Sequence, residues 1–121
     1  MKALWVALFG VVGVMLRWGC NEWSGRVWES PFPWVTFAIN IAGSFMIGIV
    51  YVLGSERGII SPDLRFGIMT GLLGGFTTFS AYSLEVIKLI ESGNYINALL
   101  YLAASPALGV AAAATGIWLM R

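Results

Sequence analysis

Long apolar runs separated by short polar stretches make up most of the chain. A helix that crosses the hydrocarbon core of a bilayer needs about 20 predominantly apolar residues, and four runs approach or exceed this length. They cover residues 3–16 (extended by 17 and 18), 34–53, 66–90 and 95–120. Polar loops are predicted between them, at 19–33, 54–65 and 91–94. We therefore predict an all-α membrane protein with four transmembrane helices in one domain, residues 1–121.

The centre of the third run does not favour a regular helix. Residues 66–84 carry no charge, yet they contain Gly74-Gly75 followed by Thr77-Thr78. Glycines and β-branched residues both have low helix propensity. Backbone that leaves helical geometry at membrane depth has to be buried in protein or to line a cavity or ion site. The pattern predicts that the third helix is broken between Gly74 and Thr77.

Small residues indicate where helices approach one another. Gly67, Gly71 and Gly75 recur every four residues and form a ridge suited to close helix contact. In the second run a stripe of polar and small residues shares one helix face, made of Thr36, Asn40, Ser44 and Gly48.

Composition supports the membrane assignment and excludes most catalytic chemistry. Of 121 residues, 59% are hydrophobic and 11% are charged, whereas a soluble domain has about 25% charged residues. The absence of histidine and the single cysteine, Cys20, exclude a His/Cys metal centre, a Ser-His-Asp triad and an intrachain disulfide. The net charge of +1 is far from the strongly basic balance that is typical of nucleic-acid-binding domains. We expect neither an enzyme nor a nucleic-acid-binding protein.

The basic residues are almost evenly divided between the two sides of the membrane. Four lie on the side of the termini and three on the other, namely Lys2, Arg57, Arg65 and Arg121 against Arg17, Arg26 and Lys88. The positive-inside rule then gives little preference for one orientation. Two copies inserted in opposite directions can form an antiparallel dimer, and inverted pairs of this kind occur in transporters.

Two interpretations of the broken helix are open. Carbonyl oxygens released at Gly74 and Thr77 suit a hard cation such as sodium, bound through the backbone. Alternatively, the glycines permit close helix packing and the threonines form hydrogen bonds between helices.

The residues after the break offer chemistry for a small anion. Phe79 and Tyr82 share one face, and the positive edges of their rings can face an anion. Ser80, Ser83 and the Asn40 amide add hydrogen-bond donors that replace water. Ordinary aromatic packing and a hydrogen bond between helices are the alternatives.

Two charged residues lie near the ends of spans. Arg17 ends the first span, where it can snorkel to the interface or draw anions into a vestibule. Glu85 lies where the third span approaches water, as a second vestibule residue or a solvated helix end.

Several motifs together resemble the Fluc (CrcB) fluoride channel family along nearly the whole chain. They are Gly13-Val-Met-Leu-Arg17-Trp18, Thr36-Phe-Ala-Ile-Asn40-Ile-Ala-Gly43, Thr70-Gly71-Leu-Leu-Gly74-Gly75-Phe-Thr77-Thr78-Phe79-Ser80 and Ser83-Leu-Glu85-Val86. The third motif is highly specific.

This resemblance implies an antiparallel homodimer of dual topology with two pores, which exports fluoride passively across the plasma membrane. It implies a structural sodium ion at the dimer centre, held by backbone carbonyls at positions matching Gly74 and Thr77. It also implies a pore lined by aromatic residues and an asparagine, with an arginine in the vestibule. The matching positions are Phe79, Tyr82, Asn40 and Arg17.

The chain departs from the family pattern at two places. Tyr82 replaces a usual phenylalanine and adds a hydroxyl group that needs a partner. In the fourth span, Val110 and Ala114 stand where serine or threonine is usual, and Ser105 and Thr115 are out of register. These differences leave open a heterodimeric channel that needs a paralogous subunit. A small multidrug-type antiporter is disfavoured because the first span has no acidic residue, and a non-transporting scaffold is the remaining alternative.

Overall fold

The computed structural model describes residues 1–27 and 30–121, and all regular secondary structure in them is helical. In chain order the helices are α1 (Lys2–Val27), α2 (Trp34–Tyr51), α3 (Pro62–Phe66), α4 (Gly74–Phe76), α5 (Phe79–Glu91) and α6 (Tyr95–Met120). Two π-helical segments extend them, the first at Val52–Glu56 after α2 and the second at Gly67–Leu73 between α3 and α4. Residues 28 and 29, in the predicted loop 19–33, lie outside the described part.

Helix α1 is longer than predicted, because most of the predicted loop 19–33 that follows the first span is helical. At about 1.5 Å per residue, its 26 residues extend about 39 Å, which exceeds the roughly 30 Å hydrocarbon core. The Asn21 amide donates to the Arg17 carbonyl at 3.2 Å, and the Ser24 hydroxyl donates to the Asn21 carbonyl at 3.3 Å. The loop prediction was therefore wrong for 19–27, since polar residues marked the end of the apolar span and not of the helix.

Helices α2 and α6 approach closely through glycine. An added methyl group at Gly48 would collide with the Ala113 carbonyl of α6, and one at Gly116 would collide with the Phe45 carbonyl of α2. At the end of this pair, Nε of Arg121 donates to the two carboxylate oxygens of Glu56 at 3.1 and 3.0 Å. The second and fourth spans therefore form a tightly packed pair whose ends are linked by an ion pair.

The glycine ridge of the third span makes the predicted close helix contact, and its partner is α1. A methyl group added at Gly71 would lie 2.6 Å from the Val6 carbonyl, and one at Gly75 would lie 2.8 Å from the Gly10 carbonyl. The contact is mutual, because a methyl group at Gly13 of α1 would overlap the Leu72 carbonyl.

The third span is interrupted at Thr77 and Thr78, at the C-terminal end of the predicted break and not at the two glycines. Gly74 has helical angles, φ −63° and ψ −37°, whereas Thr77 and Thr78 are extended, with ψ of 158° and 127°. The Thr78 hydroxyl then accepts a 3.2 Å hydrogen bond from the Ala81 amide and caps α5. The helix ends here because the Thr78 side chain can cap the next helix, α5, whereas glycine has no side chain that could do so.

Three helical stretches in the described residues are long and apolar enough to cross a membrane. They are Lys2–Val27, Trp34–Glu56 and Tyr95–Met120. The predicted span at 66–90 is absent from this set because its interruption divides it into shorter helices. A small core of aromatic and aliphatic side chains joins α5 to α6, and it consists of Tyr82, Val86, Leu89, Ala98 and Tyr101.

Candidate functional site: a groove at the interrupted helix

One asparagine side chain holds the interruption in place. The Thr78 amide donates to Oδ1 of Asn40 at 2.8 Å, and Nδ2 of Asn40 donates back to the Thr78 carbonyl at 2.9 Å. Asn40 lies on α2, in the middle of the second span. A side chain therefore supplies the hydrogen bonds that the extended backbone has lost.

The same arrangement releases the two carbonyls at Gly74 and Thr77. In a continuous helix the Gly74 carbonyl would accept from the amide of residue 78, but that amide donates to Asn40. The Thr77 carbonyl would accept from the amide of residue 81, but that amide donates to the Thr78 hydroxyl. Both oxygens lack their regular helical donor, so their geometry suits ligation of a hard cation.

A neighbouring carbonyl is occupied by an arginine. Nε of Arg17, from α1, donates to the Gly75 carbonyl at 3.1 Å, and the arginine is half-buried. Carbonyls at the C-terminal end of a helix carry partial negative charge, which a guanidinium group stabilises. Arg17 therefore binds the backbone of the interruption directly, whereas a residue that only snorkels to the interface would not reach it.

Phe79 and Tyr82 form a ring pair at the start of α5, with centroids 5.7 Å apart. Phe79 is 78% exposed, whereas Tyr82 is buried. The Tyr82 hydroxyl donates to the Leu102 carbonyl of α6 at 2.7 Å, and its ring meets Tyr101 edge-on at 4.9 Å. The two aromatic residues therefore differ, since one ring is anchored in the fold and the other is presented at the surface.

These elements surround one groove of about 450 Å³. Asn40, Gly74, Thr77, Phe79 and Tyr82 all line it, so the structure brings together five of the nine predicted site residues. From α6 the groove is lined by residues that include Ser105, Pro106, Gly109 and Val110. Ser105, which the sequence placed out of register, reaches the groove, and so does Val110, which offers no hydrogen-bond donor.

The two predicted serines lie on α5 and are not among the residues that line the groove. Ser83 donates to the Phe79 carbonyl of its own helix at 3.0 Å. The Ser80 hydroxyl lies 3.4 Å from the Thr78 hydroxyl at the start of α5.

Glu85 belongs to a separate polar cluster. Its carboxylate accepts hydrogen bonds from the Thr36 hydroxyl at 2.9 Å and from the Tyr101 hydroxyl at 3.0 Å. With Asn21 and Ser24 of α1, Glu85 and Thr36 line a second cavity of about 130 Å³. Thr36 was predicted on the polar stripe of the second span. Tyr101 was not predicted as a polar partner, because it lies in an apolar run.

The fold and groove define a multi-pass helical membrane protein with an interrupted span. The chain belongs to the CrcB family, described as CrcB-like protein, Camphor Resistance (CrcB), whose profile matches residues 4–117. This confirms the resemblance drawn from the motifs. The family is one of channels and not of enzymes, and its members are multi-pass proteins consistent with the bacterial plasma membrane.

Relatives named Fluoride-specific ion channel FluC match nearly the whole chain. The protein of Rhizobium etli (strain CIAT 652) is 43% identical over 121 residues, which cover 100% of this chain and 97% of the relative. That of Acidithiobacillus ferrooxidans (strain ATCC 53993 / BNL-5-31) is 41% identical over 114 residues, 94% of this chain and 91% of the relative. That of Roseiflexus sp. (strain RS-1) is 40% identical over 121 residues, 100% of this chain and 98% of the relative.

Proposed function

We propose that the chain forms a fluoride-selective channel that exports fluoride from the cytoplasm by passive conduction. The observation that carries the proposal is similarity along the full length, at 40% to 43% identity, to proteins named fluoride-specific ion channels. The groove gives local support, because Asn40, Phe79 and Tyr82 line it together.

Fluoride is small and strongly hydrated, so a selective path has to replace its water with donors. Asn40 donates one hydrogen of Nδ2 to Thr78, and its amide group has a second hydrogen to offer to the groove. Phe79 and Tyr82 supply ring edges, which carry positive charge. Ser80 and Ser83 flank this path near the start of α5, and their hydroxyl groups extend the line of polar groups.

The carbonyls of Gly74 and Thr77 are proposed as ligands of a structural sodium ion. Each has lost its regular helical donor to another group, and backbone oxygens are the ligands that a hard cation prefers. A bound sodium ion would supply positive charge to hold these carbonyls together. Arg17 donates to the Gly75 carbonyl, and this hydrogen bond holds the backbone between the two proposed ligands in place.

Two copies in opposite orientations are proposed to form the conducting unit. Sodium ligation by only two carbonyls per chain is incomplete, and a second antiparallel copy would double it. Phe79 is 78% exposed beside the groove, as expected for a ring that faces a path completed by a partner copy. Glu85 lines a separate polar cavity, and Arg17 reaches the interruption from α1; we assign these two residues to the vestibules.

Reconstitution of the purified chain tests the proposal. Liposomes that hold this chain alone should release fluoride on addition of an ionophore for the counter-cation, and should retain chloride under the same conditions. Crosslinking before reconstitution establishes whether the protein is dimeric. An intact dimer that releases no fluoride would contradict the homodimeric channel.

A heterodimer is the second candidate, favoured by one observation. Val110 lines the groove without offering it a hydrogen-bond donor, whereas the family resemblance implies a hydroxyl residue there. A paralogous subunit could supply the missing donor. This form predicts that the chain alone is inactive and that co-expression with a second four-span protein encoded by a neighbouring gene restores fluoride efflux.

A further inference from the structure

The hydroxyl group of Tyr82 has one defined partner in the structure. It donates a hydrogen bond of 2.7 Å to the Leu102 carbonyl in α6. The Tyr82 side chain is only 6% exposed. A buried hydroxyl without a partner is unfavourable, so this contact explains how the chain accommodates tyrosine.

The Leu102 carbonyl lacks its regular helical donor because of a proline. In a regular α-helix the carbonyl of residue 102 accepts a hydrogen bond from the amide of residue 106. Residue 106 is Pro106, which lies inside α6 and has no amide hydrogen. The Tyr82 hydroxyl therefore reaches the carbonyl that Pro106 leaves open.

We propose that Tyr82 and Pro106 are a matched pair, in which the tyrosine hydroxyl replaces the helical hydrogen bond that the proline removes. In a membrane, a proline within a helix is tolerated when a neighbouring group satisfies the freed carbonyl. Here the neighbouring group comes from α5, so the pair also joins the third and fourth spans at the groove, which both residues line.

The hydrogen bond makes Tyr82 a positioning residue for the path. It fixes one end of a ring whose faces and edges meet Phe79 at 5.7 Å and Tyr101 at 4.9 Å. Since the hydroxyl hydrogen is committed to Leu102, Tyr82 offers the groove a ring edge, as phenylalanine would. This functional consequence rests on the proposed fluoride path, whereas the pairing itself does not.

A double-mutant cycle on the full-length protein tests the pair. Its members are wild type, Tyr82→Phe, Pro106→Ala and the double variant, each measured by thermal unfolding in detergent and by fluoride efflux. We expect Tyr82→Phe alone to lower the unfolding midpoint and to slow efflux about tenfold, because the Leu102 carbonyl loses its hydrogen bond inside the membrane. In the Pro106→Ala background the same change should have little effect, because alanine supplies the missing amide hydrogen.

Tyr95→Phe is the matched control, since Tyr95 begins the same helix α6 and is 67% exposed. It should leave both measurements unchanged. An isotopically labelled Leu102 carbonyl gives a direct readout by infrared spectroscopy. Its stretching frequency should rise in Tyr82→Phe and return to the wild-type value in the double variant.

Each outcome decides a part of the proposal. Equal effects of Tyr82→Phe in both backgrounds, or an unmoved carbonyl band, would overturn the pairing. If the two substitutions are non-additive in the unfolding midpoint but additive in fluoride efflux, the positioning role alone is overturned. If Tyr82→Phe fails to assemble, recovery in the double variant supports the pair and failure of both contradicts it. A wild-type protein without fluoride efflux would overturn the proposed channel, while unfolding and infrared data still decide the pairing.

Discussion

Asn40 and Thr78, 38 residues apart, exchange two hydrogen bonds of 2.9 and 2.8 Å across the interrupted third span. The contact joins the middle of α2 to the extended backbone between α4 and α5. It satisfies the Thr78 amide and carbonyl, and it thereby withdraws the helical donor from the Gly74 carbonyl. One side chain therefore controls both the shape of the interruption and the wall of the groove.

Asn40→Asp should abolish this exchange. A carboxylate still accepts from the Thr78 amide, but it cannot donate to the Thr78 carbonyl and adds negative charge to the groove. We expect strong loss of fluoride efflux and destabilisation of about 1–3 kcal/mol. Asn94→Asp, in the turn before α6 and outside the lining of both cavities, is the control and should retain efflux. Unchanged fluoride flux in Asn40→Asp would count against Asn40 lining the path.

Phe79→Ile should abolish conduction while the dimer survives. The ring is 78% exposed, so the fold of one chain depends little on it, whereas isoleucine has no ring edge to offer an anion. Efflux and crosslinking should be measured on the same preparation. Phe66→Ile, an exposed aromatic residue outside the groove, should conduct normally. Full throughput in Phe79→Ile would refute its role in the pore.

Gly13→Ala should loosen the contact between α1 and the third span. The new methyl group would overlap the Leu72 carbonyl, and overpacking of this kind costs about 1–3 kcal/mol. Gly19→Ala in the same helix is a sharp control, because its methyl group would meet no atom within 4 Å. Thermal unfolding in detergent should separate the two variants. Equal midpoints would mean that α1 packs elsewhere.

Thr77→Ser should have a mild effect. Serine keeps the backbone carbonyl proposed to bind sodium and can repeat the 2.9 Å hydrogen bond from the hydroxyl to the Leu73 carbonyl. The lost methyl group, which lies against Gly43, is worth on the order of 1 kcal/mol. Thr115→Ser, whose hydroxyl also bonds its own helix, is the control. Severe loss of efflux, or of stabilisation by sodium, would show that the Thr77 side chain has a direct role.

Much of the fold is predictable because its signals are local. Apolar runs give the positions of the spans, and glycines at every fourth residue predict a close helix contact along Gly67, Gly71 and Gly75. Both depend only on helix periodicity and side-chain size. The end of α1 was predicted wrongly, because polarity reports the membrane boundary whereas helix hydrogen bonds continue into water.

Patterns in the sequence are enough to identify an all-helical membrane protein, its family and an interruption in the third span. The packed helices then show that the interruption lies at Thr77 and Thr78, that Asn40 holds it, and that Glu85 pairs with Thr36 and Tyr101. Glu85 and Thr36 are 49 residues apart, and no local pattern encodes such a pair. Its geometry exists only once the helices pack, because packing decides which unpaired backbone and side-chain groups meet.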